Sequence, residues 1–278
     1  MLADYHVHSS FSEDCDTDME EIVIEAINKG LDEICFTDHV DYGVRLDYGQ
    51  EGYVPNVDLY GHIPRNVDYP AYFKKLDDLQ HKYDQKIKIR KGLEFGIQME
   101  YLKEYEALYE KYPLDFIIHS NHQVADIEIY LPRYFAGHSQ QEYNRLYYEE
   151  ILRTVKAYKH YSVLGHLDSI VRYDPKGPLD IREAEDLVRA ILETVIADGK
   201  GIELNTSNVR YGLSDLTPCR HILKMYHELG GTIITIGSDA HKKEHLAFNI
   251  LKSRQELKDL GFEYYCTFEK MVPVFHKL

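Results

Sequence analysis

Hydrophobic and polar positions along the chain follow two alternating patterns. Short, strand-like apolar runs predict strands over residues 2–6, 33–37, 87–94, 115–119, 162–166, 201–205 and 232–237. Longer segments with a helical period predict helices over 18–29, 70–84, 98–112, 140–160, 181–198, 217–229 and 244–260. Strand followed by helix about seven times predicts an α/β fold with a parallel sheet, and a TIM-like barrel if the sheet closes.

One segment departs from this rhythm. Residues 41–69 are rich in Asp, Tyr, Gly and Pro and have no clear period. An irregular loop this long inside a compact domain is usually functional, so we expect it to form a wall over the site. No linker, repeat or low-complexity tract divides the chain. The sequence therefore predicts a single domain over 1–278 with an irregular insertion at about 41–69.

Charge and composition exclude some classes of partner. The formal net charge is -15, whereas nucleic acids and anionic membranes are bound by clustered Lys and Arg. No basic leader precedes an apolar run, and no apolar stretch approaches the ~18 residues of a membrane span. We therefore expect a cytoplasmic protein that binds neither nucleic acid nor membrane, as a monomer or small homo-oligomer. Its four scattered cysteines predict free thiols.

Metal-binding residue types follow six of the seven predicted strands. They are His6, His8, Asp38, His39, Glu94, His119, His122, His166, Asp168, Asp239 and His241. The carboxyl ends of barrel strands converge on one mouth, where catalytic groups collect. Imidazole and carboxylate together suit divalent metals of intermediate softness, and two such ions can polarise a phosphoryl oxygen. No Ser or Cys nucleophile elbow and no Walker A motif is present, so hydrolysis by metal-activated water is the leading chemistry.

Five motifs in order resemble those of the PHP (polymerase and histidinol phosphatase) superfamily. They are His6-x-His8, Thr37-Asp38-His39, Gly92-Leu93-Glu94, Gly165-His166-x-Asp168 and Ser238-Asp239-Ala240-His241. Within it, the length, the insertion after His39 and the stretch from Glu203 to Ser207 resemble histidinol-phosphate phosphatases. The resemblance implies a distorted (β/α)7 barrel with three divalent metal ions. It also implies hydrolysis of L-histidinol phosphate to L-histidinol and phosphate in histidine biosynthesis.

The resemblance also implies roles for individual residues. One ion takes His6, His8, Glu94 and Asp239; a second shares Glu94 and takes His122 and His166. A third takes Asp14, His39 and His241, although the acids around Asp14 also suit a solvated loop. Glu94 is then the catalytic bridge, and a hydroxide between the first two ions attacks phosphorus.

Other candidates surround this set. His119 is expected as a neighbour of the metal ligands or a contact to substrate, with His122 as the ligand. Asp168 is expected to orient His166 or to protonate the leaving alcohol. Arginine suits phosphate oxygens, and the substrate-binding candidates are Arg210 and Arg133, with His62 from the long loop. Arg172 and Arg182 fit surface ion pairs better.

Three alternatives stay open at this stage. The first is another PHP phosphoesterase, acting on nucleotides or other small phosphorylated metabolites, because the loops choose the substrate. The second is an amidohydrolase-type barrel, which also begins with an HxH motif. The third is a non-catalytic metal-binding module. Zinc, iron and manganese all accept these nitrogen and oxygen ligands, so the sequence leaves the metal open.

Overall fold

A computed structural model describes residues 1–52 and 64–278. Its strands are β1 (Ala3–Val7), β2 (Glu33–Phe36), β3 (His39–Val40), β4 (Lys88–Gly96), β5 (Phe116–Ser120), β6 (Gln123–Val124), β7 (Ile127–Glu128), β8 (Val163–Leu164), β9 (Gly201–Asn205), β10 (Ile234–Gly237), β11 (Tyr264–Glu269) and β12 (Val272–Lys277). Its helices are α1 (Met19–Asn28), α2 (Tyr69–Tyr83), α3 (Leu102–Lys111), α4 (Pro132–Phe135), α5 (Gln140–Ala157), α6 (Glu185–Ala197), α7 (Arg220–Glu228) and α8 (Ile250–Asp259).

Seven parallel strands form the predicted barrel, in the order β1-β2-β4-β5-β8-β9-β10. The first and last strands are joined where Val7 pairs with Ala240, because His8 N–H donates to the Ala240 carbonyl at 3.0 Å. This single bridge leaves the barrel nearly closed. The prediction of an α/β barrel is confirmed, and the carboxyl ends of the strands meet at one mouth.

Local sequence signals account for some helix boundaries. The Asp18 side chain accepts a hydrogen bond from the Glu20 N–H and so caps α1. Ser139 and Glu142 form a reciprocal capping box at the start of α5. In contrast, α7 begins at Arg220, three residues after the predicted start, and α8 begins at Ile250, six residues after its predicted start.

Two apolar layers hold the barrel together. The larger one lies between the strands and the surrounding helices, and the smaller one fills the lower part of the barrel interior. Alternation along β5 shows the division, because Phe116 and Ile118 belong to the inner layer and Ile117 to the outer one. Cys266 and Phe268 of the unpredicted hairpin β11–β12 complete the inner layer.

The segment after β3 contains no helix or strand in its described parts, 41–52 and 64–68. Its two ends are joined, because Leu46 N–H donates to the Pro64 carbonyl and Asn66 N–H donates to the Leu46 carbonyl. His62 lies outside the described residues. Within the described part of the chain, no helix is long and apolar enough to cross a membrane.

Candidate metal centre

Glu94, near the end of β4, lies at the centre of the barrel mouth and is fully buried. Its two carboxylate oxygens face two different groups of residues. Oε2 lies 3.1 Å from His6 Nε2 and 3.4 Å from His8 Nε2. Oε1 lies 3.0 Å from His122 Nε2 and 2.8 Å from His166 Nε2. The bridging position predicted for Glu94 therefore has the necessary geometry.

His6 and His8 reach the mouth from the end of β1. The register between β1 and β2 shifts between Asp4 and Val7, and such an irregularity re-aims side chains. Asp239 completes this group, since its Oδ1 lies 3.7 Å from both His6 Nε2 and His8 Nε2. Asp239 has a positive φ of 54°, a backbone conformation that Asp tolerates better than most residues. The structure thus brings together the first predicted ligand set.

A third group lies beside the first. Asp14 Oδ2 is 3.3 Å from His39 Nε2 and 3.2 Å from His241 Nε2. The short strand β3 pairs with β4 so that His39 stands beside Glu94 in register. The His8 and His241 rings stack with their centroids 4.0 Å apart, which joins this group to the first.

Electrostatics favour an ionised carboxylate at the centre. Burial alone would raise the pKa of Glu94, but the surrounding His6 and His122 rings outweigh burial and hold that pKa well below its usual range. His8 behaves differently, because burial and the neighbouring His241 ring place its pKa well below the usual value. Ionised Glu94 and neutral His8 are in the forms that bind metal. Asp41 and Glu94 outweigh burial and raise the pKa of His122 to about 10, so a cation on that side would displace the His122 proton.

The residues of the centre fit divalent cations. His8 Nε2 and His39 Nδ1 are buried and have no hydrogen-bond partner in the described chain, although each lies within 3.4 Å of Glu94 Oε2. Several groups offer ligand atoms within 4.8 Å of one another, including His6, Glu94 and His166, and His8, His39 and His241. Zinc, iron and manganese all accept such mixed nitrogen and oxygen donors.

The sequence of this chain matches a protein-family model over most of its length. The family model described as the PHP domain matches residues 4–207. The chain belongs to the PHP domain family. The matched range includes Glu94 and most of the residues around it, whereas Asp239 and His241 lie beyond it.

Relatives of this PHP domain chain include curated proteins and solved structures. It is 33% identical over 276 residues to the histidinol-phosphatase of Lactococcus lactis, covering 96% of this chain and 94% of the relative. It is 28% identical over 253 residues to a probable histidinol-phosphatase of Clostridium acetobutylicum, covering 90% of each. A crystal structure of histidinol phosphate phosphatase from L. lactis, complexed with zinc, L-histidinol and phosphate, matches with a TM-score of 0.85 at 30% identity, covering 98% of both chains. The predicted family and fold are confirmed.

His119 requires a correction. Its side chain points out of the barrel, where His119 Nε2 lies 3.0 Å from Thr154 Oγ1 of α5 and the ring packs edge-on against Tyr161. The cause is strand alternation, since the next residue of β5, Ser120, turns inward and donates to Glu94 Oε1 at 2.6 Å. His119 is therefore a buried structural residue, and His122 is the histidine that reaches the mouth.

Asp168 also lies elsewhere than predicted. Its Oδ2 accepts a hydrogen bond from the Cys219 N–H at 2.8 Å, just before α7. His166 Nδ1 has no hydrogen-bond partner in the described chain, so Asp168 does not orient that ring. Nor does Asp168 line the cavity above the metal centre. Neither predicted role has support from this geometry.

The arginines are distributed differently from the prediction. Arg172 lines the cavity, with its side chain only 5% exposed, and its Nη2 lies 3.1 Å from Asp239 Oδ2. The expectation of a surface ion pair was therefore wrong for Arg172, whereas Arg182 does form an exposed pair with Asp180. Arg210 instead donates to the Ser238 and Asp239 carbonyls at 2.7 and 2.8 Å. Arg133 is exposed on α4 and does not line the cavity.

Four residues of the site were not predicted from the sequence to have a functional role. Glu203 of β9 lies 2.6 Å from His6 Nδ1 through Oε1, and its Oε2 accepts from the His166 N–H. Asp41 and Arg45 of the irregular segment, and Glu128 of β7, line the cavity. Glu203 could have been found, since the predicted strand 201–205 places it two residues before the strand end. The other three stand on segments without periodicity.

Proposed function

We propose that this protein is a metal-dependent phosphomonoesterase that hydrolyses L-histidinol phosphate to L-histidinol and phosphate. The observation that carries the chemistry is Glu94, whose two oxygens each face a separate group of buried histidines. The substrate follows from the named L. lactis relative, which aligns with 96% of this chain. Nucleotides and other small phosphorylated metabolites remain the alternative substrates that the experiment below tests.

Three divalent ions are part of the proposal. One ion would be held by His6, His8, Glu94 and Asp239. A second would be held by Glu94, His122 and His166. A third would be held by Asp14, His39 and His241. Bound ions of this kind polarise phosphoryl oxygens and supply a water of lowered pKa. Zinc is the first metal to test, because the L. lactis crystal structure contains zinc.

The cavity walls offer contacts to the phosphoryl group, the amine and the imidazole of the substrate. Arg172 provides a fixed cation beside Asp239, where it can donate to phosphoryl oxygens. On the other wall, Glu128 accepts a hydrogen bond from the Tyr130 hydroxyl at 2.8 Å and forms no ion pair with any described residue, so it can face the substrate amine. Tyr130, Tyr173 and Tyr211 line the entrance and offer ring faces to an imidazole.

The test is release of phosphate from L-histidinol phosphate, measured against a panel of nucleotides and sugar phosphates with protein of assayed metal content. We expect kcat/KM for L-histidinol phosphate to exceed the others by several powers of ten. Even activity across the panel would keep the phosphoesterase and reject the substrate. Inactivity of the metal-loaded protein would favour a non-catalytic metal-binding module.

A further inference from the structure

We propose that the described ends of the irregular segment after β3, residues 41–52 and 64–68, control metal binding on the His122 side of Glu94. Asp41, held in place by Arg45, acts as a positioning residue that fixes the His122 ring and so sets how tightly that side binds its cation. The inference rests on the metal assignment proposed above. It does not depend on which phosphate ester is the substrate.

The Asp41 carboxylate contacts the His122 ring on the side away from Glu94. Asp41 Oδ1 lies 2.7 Å from His122 Nδ1, and the opposite nitrogen, Nε2, lies 3.0 Å from Glu94 Oε1. A carboxylate behind a histidine fixes both its ring orientation and its tautomer, and makes the distal nitrogen a better ligand. The His122 side chain is 21% exposed and follows β5 in a loop, so its orientation depends on this contact.

Arg45 and Asn66 hold Asp41 in place. Its other oxygen, Oδ2, lies 3.0 Å from Arg45 Nε. Its backbone N–H donates to Asn66 Oδ1 at 2.8 Å, and Asn66 Nδ2 donates to Asp47 Oδ1. Asp41 and Asn66 are both buried. Residues from the two ends of the irregular segment therefore fix this carboxylate.

Gly96 leaves the space in which Asp41 and His122 meet. Gly96 ends β4 directly beneath this contact, and a Cβ at this position would overlap Asp41 Oδ1 and lie 2.9 Å from His122 Nδ1. Because Gly96 has no side chain, the Asp41 carboxylate and the His122 ring can meet above the strand. This close approach makes residue 96 an independent probe of the same contact.

The decisive experiment measures metal affinity by competition with a chelator, together with ions bound per chain by elemental analysis. We expect Asp41→Ala to weaken zinc binding on the His122 side by about 10- to 100-fold. Asp41→Asn, which keeps an acceptor oxygen and loses the charge, should lie between Ala and the natural protein. Circular dichroism checks that each variant is folded, and Asp41→Asn serves if Asp41→Ala is not. Unchanged metal affinity in a folded variant would overturn the proposal.

A double-mutant cycle shows whether Asp41 acts through His122. In a His122→Ala background, Asp41→Ala should cause no further loss of metal affinity. Glu203→Gln is the matched control, since Glu203 stands behind His6, and its effect should persist in that background. Additive losses from Asp41→Ala and His122→Ala would overturn the proposal. None of these measurements uses a phosphate ester, so they stand apart from the test of the substrate.

Two more variants complete the design. Gly96→Ala should reproduce the metal loss of Asp41→Ala, and normal metal affinity in that variant would contradict the proposed contact. Arg45→Gln should weaken metal binding less than Asp41→Ala does. If Arg45→Gln instead leaves metal affinity unchanged and weakens binding of inorganic phosphate, Arg45 contacts the substrate and its positioning role is rejected.

Discussion

The two sides of Glu94 are built differently. On the His6 side, the orienting carboxylate is Glu203, which stands on the regular strand β9, and Gly237 of β10 leaves the space for it. On the His122 side, the orienting carboxylate is Asp41, on a segment with no helix or strand in its described parts. The His6 side chain is fully buried, whereas that of His122 is 21% exposed. Strand register thus fixes one half of the centre, and residues outside the regular strands fix the more open half.

Glu94→Gln should affect both sides of the centre at once. Because both sides share this carboxylate, we expect loss of metal from both and a fall in kcat/KM of at least about 10³-fold, as each ion supplies several kcal/mol. The barrel should stay folded, which circular dichroism can check. Near-normal turnover by this variant would reject the bridging role.

His122→Ala should empty one side only. We expect a loss of about one ion per chain by elemental analysis and a fall in kcat/KM of about 10²-fold or more, since the His6 side keeps its ligands. Loss of all ions would show that the two sides bind metal as one unit and are not independent.

Arg172→Gln tests the substrate contact on the His6 side. Charge-assisted hydrogen bonds contribute about 1.5–3 kcal/mol, so kcat/KM should fall by about 10- to 150-fold with metal content unchanged. Arg182→Gln is the matched control, because Arg182 pairs only with Asp180 at the surface among the described residues. Metal loss in Arg172→Gln would assign this arginine to holding Asp239.

Glu203→Gln changes the single contact that orients the His6 ring. It removes the charge behind His6 and should weaken metal on that side by about 10- to 100-fold, as read by chelator competition. Because Gln keeps an acceptor oxygen and strand register holds His6 regardless, we expect the lower end of that range. A larger loss than that of Asp41→Ala would show that strand register does not protect the His6 side.

The smallest effect on the centre is expected from His119→Ala. The variant should keep its full metal content and activity, because His119 faces α5. It should lower the free energy of unfolding by about 1–3 kcal/mol through the cavity and the lost contact to Thr154, measured by denaturant unfolding. Loss of metal with normal stability would restore His119 to the site.

Much of this architecture was readable from the chain. Apolar runs predicted all seven barrel strands, and polar residues at their ends include the side chains that gather around Glu94. The hairpin β11–β12 was missed, because its outer strand is largely exposed and has no clear alternation. His119 was misplaced since a predicted strand end does not reveal which of two adjacent residues faces inward.

The sequence by itself determined the order of strands and helices and the residue types at the barrel mouth, because these follow from periodicity and from where each strand ends. Only the tertiary structure decided which carboxylates stand behind the histidines at the barrel mouth. Asp41 meets His122 across 81 positions of sequence, and Glu203 meets His6 across 197. Such contacts depend on strand register, barrel closure and the path of an irregular segment, and local sequence patterns encode none of these directly.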